Sequence, residues 1–148
     1  MTMSSATGMS KPINILLVED DDGDAKAVQR AFRKARIANP IVRAVDGVEA
    51  LEILKGANGR ERLLSPSLLL VDLNMPRMNG IELIRALRAD TELRHAIAFV
   101  LSTSRRDEDK CAAYDLNVAG YIVKATAGQD FANLVHLLDC YWRIVELP

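Results

Sequence analysis

Carboxylate, hydroxyl and ammonium side chains recur in this chain where an apolar run ends. Asp72 follows Leu68-Leu69-Leu70-Val71 and precedes Leu73-Asn74-Met75-Pro76. Glu19-Asp20-Asp21-Asp22 follows Ile13-Asn14-Ile15-Leu16-Leu17-Val18. Ser102-Thr103-Ser104 follows Ile97-Ala98-Phe99-Val100-Leu101, and Lys124 follows Ala119-Gly120-Tyr121-Ile122-Val123. If these runs are strands of one parallel sheet, the polar residues share one edge, where ligands of open α/β sheets bind. Carboxylates from two strand ends can converge on a hard divalent cation, and Mg²⁺ favours one or two carboxylates, some waters and a phosphate. A carboxylate can also be a nucleophile and become an acyl phosphate. A metal, an ammonium and a hydroxyl then neutralise the oxygens of the transferred group. Phosphoryl transfer is the chemistry these residues suit.

The elements that must position them alternate β and α five times. Strands are expected at 13–18, 41–45, 67–72, 97–101 and 119–123, and helices at 22–37, 46–55, 79–89, 107–116 and 129–145. Four consecutive apolar residues before Asp72 suit a strand covered on both faces. Val28, Ala31, Phe32 and Ala35 mark one face of the first helix, which Asn39-Pro40 should end. Asp46 with Glu49 reads as a capping box. In the third helix Ile81, Ile84 and Leu87 or their neighbours should pack inward, and 56–66 reads as a long loop or an extended helix end. Alternating βα units require a five-stranded parallel sheet with helices on both faces, joined by right-handed crossovers.

The 148 residues suffice for one domain with a real core, expected over 12–148, behind a flexible polar tail at 1–11. A composition 49% apolar and 26% charged is that of a soluble protein, and no apolar run could span a bilayer. A net charge of −1 gives no reason to expect nucleic-acid binding, and the basic run 30–36 reads as a solvated helix face. Cys111 and Cys140 match no metal or redox spacing and are expected as buried thiols in a reducing cytoplasm. His95 and His136 have no partner pattern, and Asp21, Asp22 and Asp24 read as helix N-terminal acids.

Four motifs in order carry a resemblance. Ile15-Leu16-Leu17-Val18-Glu19-Asp20-Asp21, Val71-Asp72-Leu73-Asn74-Met75-Pro76-Arg77-Met78-Asn79-Gly80, Leu101-Ser102-Thr103 and Tyr121-Ile122-Val123-Lys124 together resemble the receiver domain of bacterial two-component response regulators. The resemblance spans about 13–145, and the intervals of 30 from Asp72 to Ser102 and 52 from Asp72 to Lys124 fit it. It implies a (βα)5 flavodoxin-like receiver fold. It also implies Asp72 as phospho-acceptor and Glu19 and Asp20 as the acidic pair for Mg²⁺, or Mn²⁺ in its place. Asp20 would bind directly and Glu19 through water. The Asn74 backbone carbonyl would complete the metal site, with its side chain near the attacking water. Ser102, or neighbouring Thr103, would be the switch hydroxyl. Lys124 would pair with a phosphoryl oxygen, Tyr121 would swing inward when Ser102 moves, and Ser104 would tune hydrolysis. Ala125 stands where the family has a proline, so the path after the last strand is expected to differ.

The last helix has an apolar arc wider than one stripe. Phe131, Leu134, Val135, Leu138, Tyr141, Trp142 and Val145 form one face, and Leu137, Cys140, Ile144 and Leu147 widen it. Such an excess should be buried against something, and Trp and Tyr are common interface anchors. A homodimer through Leu137, Tyr141, Trp142, Ile144 and Val145 is expected, and no output domain is expected. The 56–66 insert, the hydroxyl run, the missing proline and the Tyr141-Trp142 to Leu147-Pro148 ending resemble the regulators paired with bacterial phytochromes. The implied donor is a sensor histidine kinase of that class. Two other readings are weighed against this. A dehalogenase-like phosphatase needs a second Asp where Asn74 stands. A receiver-like interaction module would act without phosphorylation.

Overall fold

Residues 13–148 are described by a computed structural model, so the expected tail at 1–11 lies outside the described residues. The chain runs β1 (Asn14–Val18), α1 (Asp22–Lys34), β2 (Ile41–Ala44), α2 (Gly47–Lys55), β3 (Ser67–Val71), α3 (Gly80–Ala89), β4 (Ile97–Ser102), α4 (Asp107–Asp115), β5 (Gly120–Val123) and α5 (Ala132–Ile144). All four strand pairings are parallel, in the order β2-β1-β3-β4-β5. The chain leaves β1 in one direction and returns to β3 on its other side. This reversal opens a crevice at the carboxyl ends of β1 and β3.

Successive strand residues face opposite sides, and two apolar layers follow from that alternation. Leu16, Val18, Leu69, Val71, Ala98 and Val100 pack with Ile53 and Leu54 of α2, Leu83, Ile84 and Leu87 of α3, and Ala113 of α4. Ile15, Leu17, Leu68, Leu70, Phe99 and Leu101 pack with Ala25, Val28, Ala31 and Phe32 of α1, and Leu134, Val135 and Leu138 of α5. The central strands are therefore covered on both faces, as their unbroken apolar runs require.

Local chemistry decides where the helices start and stop. The Asp46 side chain accepts from Glu49 N–H at 2.9 Å, and Glu49 returns a bond to Val45 N–H at 2.8 Å, one residue before the cap. Asn79 and Glu82 form a full reciprocal box at the start of α3. Gly56 ends α2 with φ 68°, the left-handed conformation that glycine adopts without penalty. The α1 helix stops at Lys34, short of the expected 37. Arg36 at φ 59° places Ile37 N–H on Phe32 C=O and its own N–H on Arg33 C=O. That is a Schellman stop, made without glycine and before Pro40 acts.

Two expectations need correction. The last helix is not continuous over 129–145. A 3₁₀ turn at Gln129–Phe131 precedes α5, with Asp130 at φ 53° and Phe131 at φ 60°. The kink lets Phe131 turn onto the apolar layer beneath α1. The cysteines are exposed, not buried, because α4 buries only Ala113 and α5 only Leu134, Val135 and Leu138. The insert at 56–66 folds back on α2, where Arg60 pairs with Glu49 at 2.7 Å and Glu52 at 3.2 Å.

At the start of α3, a methyl group on Gly80 would lie 2.4 Å from the Asp72 carbonyl oxygen and 2.9 Å from Leu73 Cα. Gly80→Ala is expected to lower stability by about 2–3 kcal/mol, the scale of overpacking against backbone. A shift of the urea midpoint to lower concentration, followed by circular dichroism, checks this.

Candidate functional site

The strand ends converge as parallel topology demands. Glu19 and Asp72 each follow a central strand directly. Glu19 N–H donates to Ala44 C=O at 2.9 Å, and Asp72 N–H donates to Val18 C=O at 3.0 Å. Both residues are buried, with Glu19 1% and Asp72 7% exposed, while Asp20 projects to solvent. Each of the three offers a carboxylate oxygen within 4.8 Å of the other two. Hard oxygen donors at that spacing suit a hard divalent cation.

Lys124 supplies the compensating charge. Its Nζ lies 2.7 Å from Glu19 Oε1, 2.7 Å from Asp24 Oδ2 and 3.6 Å from Asp72 Oδ2. Burial pushes the Glu19 carboxyl up to about 7, with the Asp72 charge adding to it and Lys124 opposing. Burial also pulls the Lys124 ammonium down, but Asp24, Glu19 and Asp72 outweigh that and hold it above the usual lysine range. The Lys124–Ala125 peptide is trans. Lys124–Thr126 instead curl at once into a 3₁₀ turn, closed by Ala127 N–H on Lys124 C=O at 3.2 Å.

The hydroxyls lie at the end of β4 and in the loop that follows it. Ser102 is fully buried as the last residue of the strand, and its Oγ accepts from Ser104 N–H at 3.1 Å. Thr103 is exposed. Ser104 Oγ donates to Asp109 Oδ2 at 2.5 Å and accepts from Arg106 N–H at 3.2 Å. Its hydroxyl is thus occupied at the start of α4. The Tyr121 hydroxyl donates to Ser104 C=O at 3.0 Å, which ties the half-buried ring to the β4–α4 loop.

The loop after Asp72 is pinned from outside. Arg77 donates twice to Asp46, at 2.7 and 3.1 Å. That guanidinium holds the Asp46 carboxyl below its usual range against the opposing pull of burial. Gly47 N–H donates to Met78 C=O at 3.1 Å. Asn74 sits exposed on this loop.

Glu19, Asp20, Asp72 and Lys124 are therefore brought together. Ser102 and Tyr121 are linked through Ser104, and Thr103 stands apart. Asp24 and the Arg77–Asp46 pair were not legible as site elements. An acid in the first turn of a helix reads as a macrodipole partner, and an arginine after a proline carries no pairing signal.

Leu137, Ile144 and Val145 are exposed on α5 and its end, at 44%, 82% and 40%. Tyr141 and Trp142 instead pack within the domain. Tyr141 meets Phe99 edge-on at 5.0 Å, and Trp142 stacks on Phe32 at 6.3 Å between centroids.

Residues 15–136 match the response regulator receiver domain. The response regulator Rcp1 of Synechocystis sp. is 31% identical over 138 residues, 93% of this chain and 94% of its own. The phosphorylated cyanobacterial phytochrome response regulator RcpA superposes with a TM-score of 0.84 at 31% identity, covering 93% of this chain and 99% of that one. The Mn²⁺-bound form of Rcp1 gives 0.79 at 30%, covering 93% and 99%.

When the domain unfolds, Glu19 returns to its ordinary value of 4.5. Between there and about 7 the folded state binds more protons, so this group's contribution to stability falls as pH rises. A cation that needs the ionised carboxylate must displace the same proton. Mn²⁺ affinity is therefore expected to rise about tenfold from pH 6 to pH 8. Titration calorimetry at both values checks this, and Glu19→Gln should flatten the dependence.

Proposed function

The chain belongs to the response regulator receiver domain family, and from that premise we propose that it is a phosphorylation switch whose acceptor is Asp72. The observation that carries the reading is the buried Asp72 carboxylate, grouped with Glu19 and Asp20 and facing the Lys124 ammonium at 3.6 Å. An Asp72 carboxylate oxygen attacks the phosphorus of a phosphohistidine. The new P–O bond forms as the P–N bond breaks, and the imidazole leaves with the electron pair. Burial keeps bulk water from the acyl phosphate, and Lys124 meets a phosphoryl oxygen. A divalent cation held by Asp20 and Asp72, with Glu19 and the Asn74 carbonyl, would supply neutralising charge, with Mg²⁺ preferred and Mn²⁺ accepted.

The response passes through β4 and β5. Ser102 is the switch hydroxyl, favoured over Thr103 by its burial at the strand end. Movement of Ser102 toward the phosphoryl group withdraws the acceptor of Ser104 N–H and loosens the loop that holds Tyr121. The donor is a sensor histidine kinase, and the similarity to RcpA supports one of the phytochrome class.

A second reading concerns assembly. The exposed Leu137, Ile144 and Val145 form a self-complementary apolar patch for a second copy of this chain. Tyr141 and Trp142, half-buried against Phe99 and Phe32, border that face and would extend the contact.

Incubation with acetyl phosphate and Mg²⁺ is expected to give a retarded band on a phosphate-affinity gel, absent in Asp72→Asn and without the cation. No retardation of the wild type, beside a receiver control that is labelled, would instead support an interaction module that acts unphosphorylated. For assembly, light scattering should report twice the chain mass for the wild type at micromolar concentration and the single mass for Ile144→Asp. A wild type that stays monomeric, phosphorylated or not, excludes the dimer.

A further inference from the structure

We infer that Asp24 is a positioning residue that holds the Lys124 ammonium back from Asp72 and thereby limits how much phosphoryl group the acceptor retains. This rests on the phospho-acceptor reading above.

Local bonding explains why Asp24 is available. It is the third residue of α1, after the cap Asp21. An acid at this place commonly reaches back to the backbone N–H of the cap. Here that N–H is taken by Glu19 Oε2 at 3.2 Å. The Asp24 N–H in turn donates to Asp21 Oδ2 at 2.8 Å. With the cap satisfied by other groups, the Asp24 carboxylate turns across the site to Lys124, 100 residues along the chain.

A lysine ammonium has three N–H donors. Glu19 and Asp24 each take one at 2.7 Å. Asp72 Oδ2 lies at 3.6 Å, beyond hydrogen-bond range. The ammonium is therefore anchored short of the nucleophile by two charge-assisted bonds, the strong kind. A phosphoryl group on Asp72 must draw Lys124 against both. Glu19 belongs to the carboxylate cluster that suits a cation. Asp24 stands outside that cluster, so its pull on the lysine is not shared with cation binding. Its side chain is 36% exposed, and the Lys124 side chain, 11% exposed, keeps Glu19 at 2.7 Å when Asp24 is replaced. Asparagine keeps its size and an acceptor but removes the charge.

Two readouts on the intact chain test the inference. One is hydrogen exchange of the Lys124 ammonium in unphosphorylated protein labelled with ¹⁵N-lysine. The other is the phosphorylated fraction at limiting acetyl phosphate with Mg²⁺. Asp24→Asn is expected to speed the exchange, raise the fraction about threefold to tenfold and slow loss of the label, as when the anionic acceptor of an ammonium is replaced by a neutral one. An unchanged or lowered fraction overturns the inference. A raised fraction with unchanged exchange also overturns it, because the effect then bypasses the lysine. A wild type that takes no label overturns the acceptor reading as well, and that failure is recognised without reference to the variant.

Discussion

One ammonium among carboxylates is the interaction on which the rest of this structure depends. Glu19 and Asp72 are buried at the ends of adjacent strands, where burial first and the Asp72 charge after it disfavour ionisation of Glu19. Lys124 supplies the opposing charge from β5, which reaches β3 only through β4. A buried charge left without its partner is strongly destabilising, so the path from β5 to Lys124 matters as much as its type. The immediate 3₁₀ turn after Val123 provides that path with a trans peptide at Ala125.

The two apolar layers give the site its rigidity. Each central strand sends alternate residues to α2, α3 and α4 or to α1 and α5. A strand cannot slip by one residue without exchanging those faces. The registers Val18↔Val71 and Val71↔Val100 therefore place the ends of β1 and β3 level and carry β4 two residues further, to Ser102. The loops that follow are tied separately, by Arg77 on Asp46 and by Gly80 N–H on Leu73 C=O at 3.0 Å. Close contact of Gly80 with the Asp72 carbonyl explains why no side chain is accommodated there.

From the end of β4, the contacts run in sequence from a buried hydroxyl to a partly exposed ring. Ser102 Oγ accepts from Ser104 N–H, and Ser104 C=O accepts from Tyr121. Ser104 Oγ and Asp109 join the same loop to α4. The β4–α4 loop is thus the physical link between the strand end beside the acceptor and the α4–β5 surface.

The sequence by itself determined the order of elements, the parallel sheet and the polar residue at each strand end. Apolar runs of the right length and period allow few other structures, and parallel strands bring their carboxyl ends to one edge. Cap chemistry was legible at Asp46 because it acts over three residues. The stop at Arg36 was not, because a left-handed non-glycine residue is set by the packing of Ile37 and Phe32. The break at Phe131 and the exposure of both cysteines likewise depend on which face each helix presents to the sheet. Only the tertiary structure decided that Asp24 partners Lys124, that Arg77 closes on Asp46, and that Tyr141 and Trp142 turn inward to Phe99 and Phe32. Those pairings join residues distant in sequence. Side-chain type permits them, but only packing of the helices onto a registered sheet brings the partners within reach.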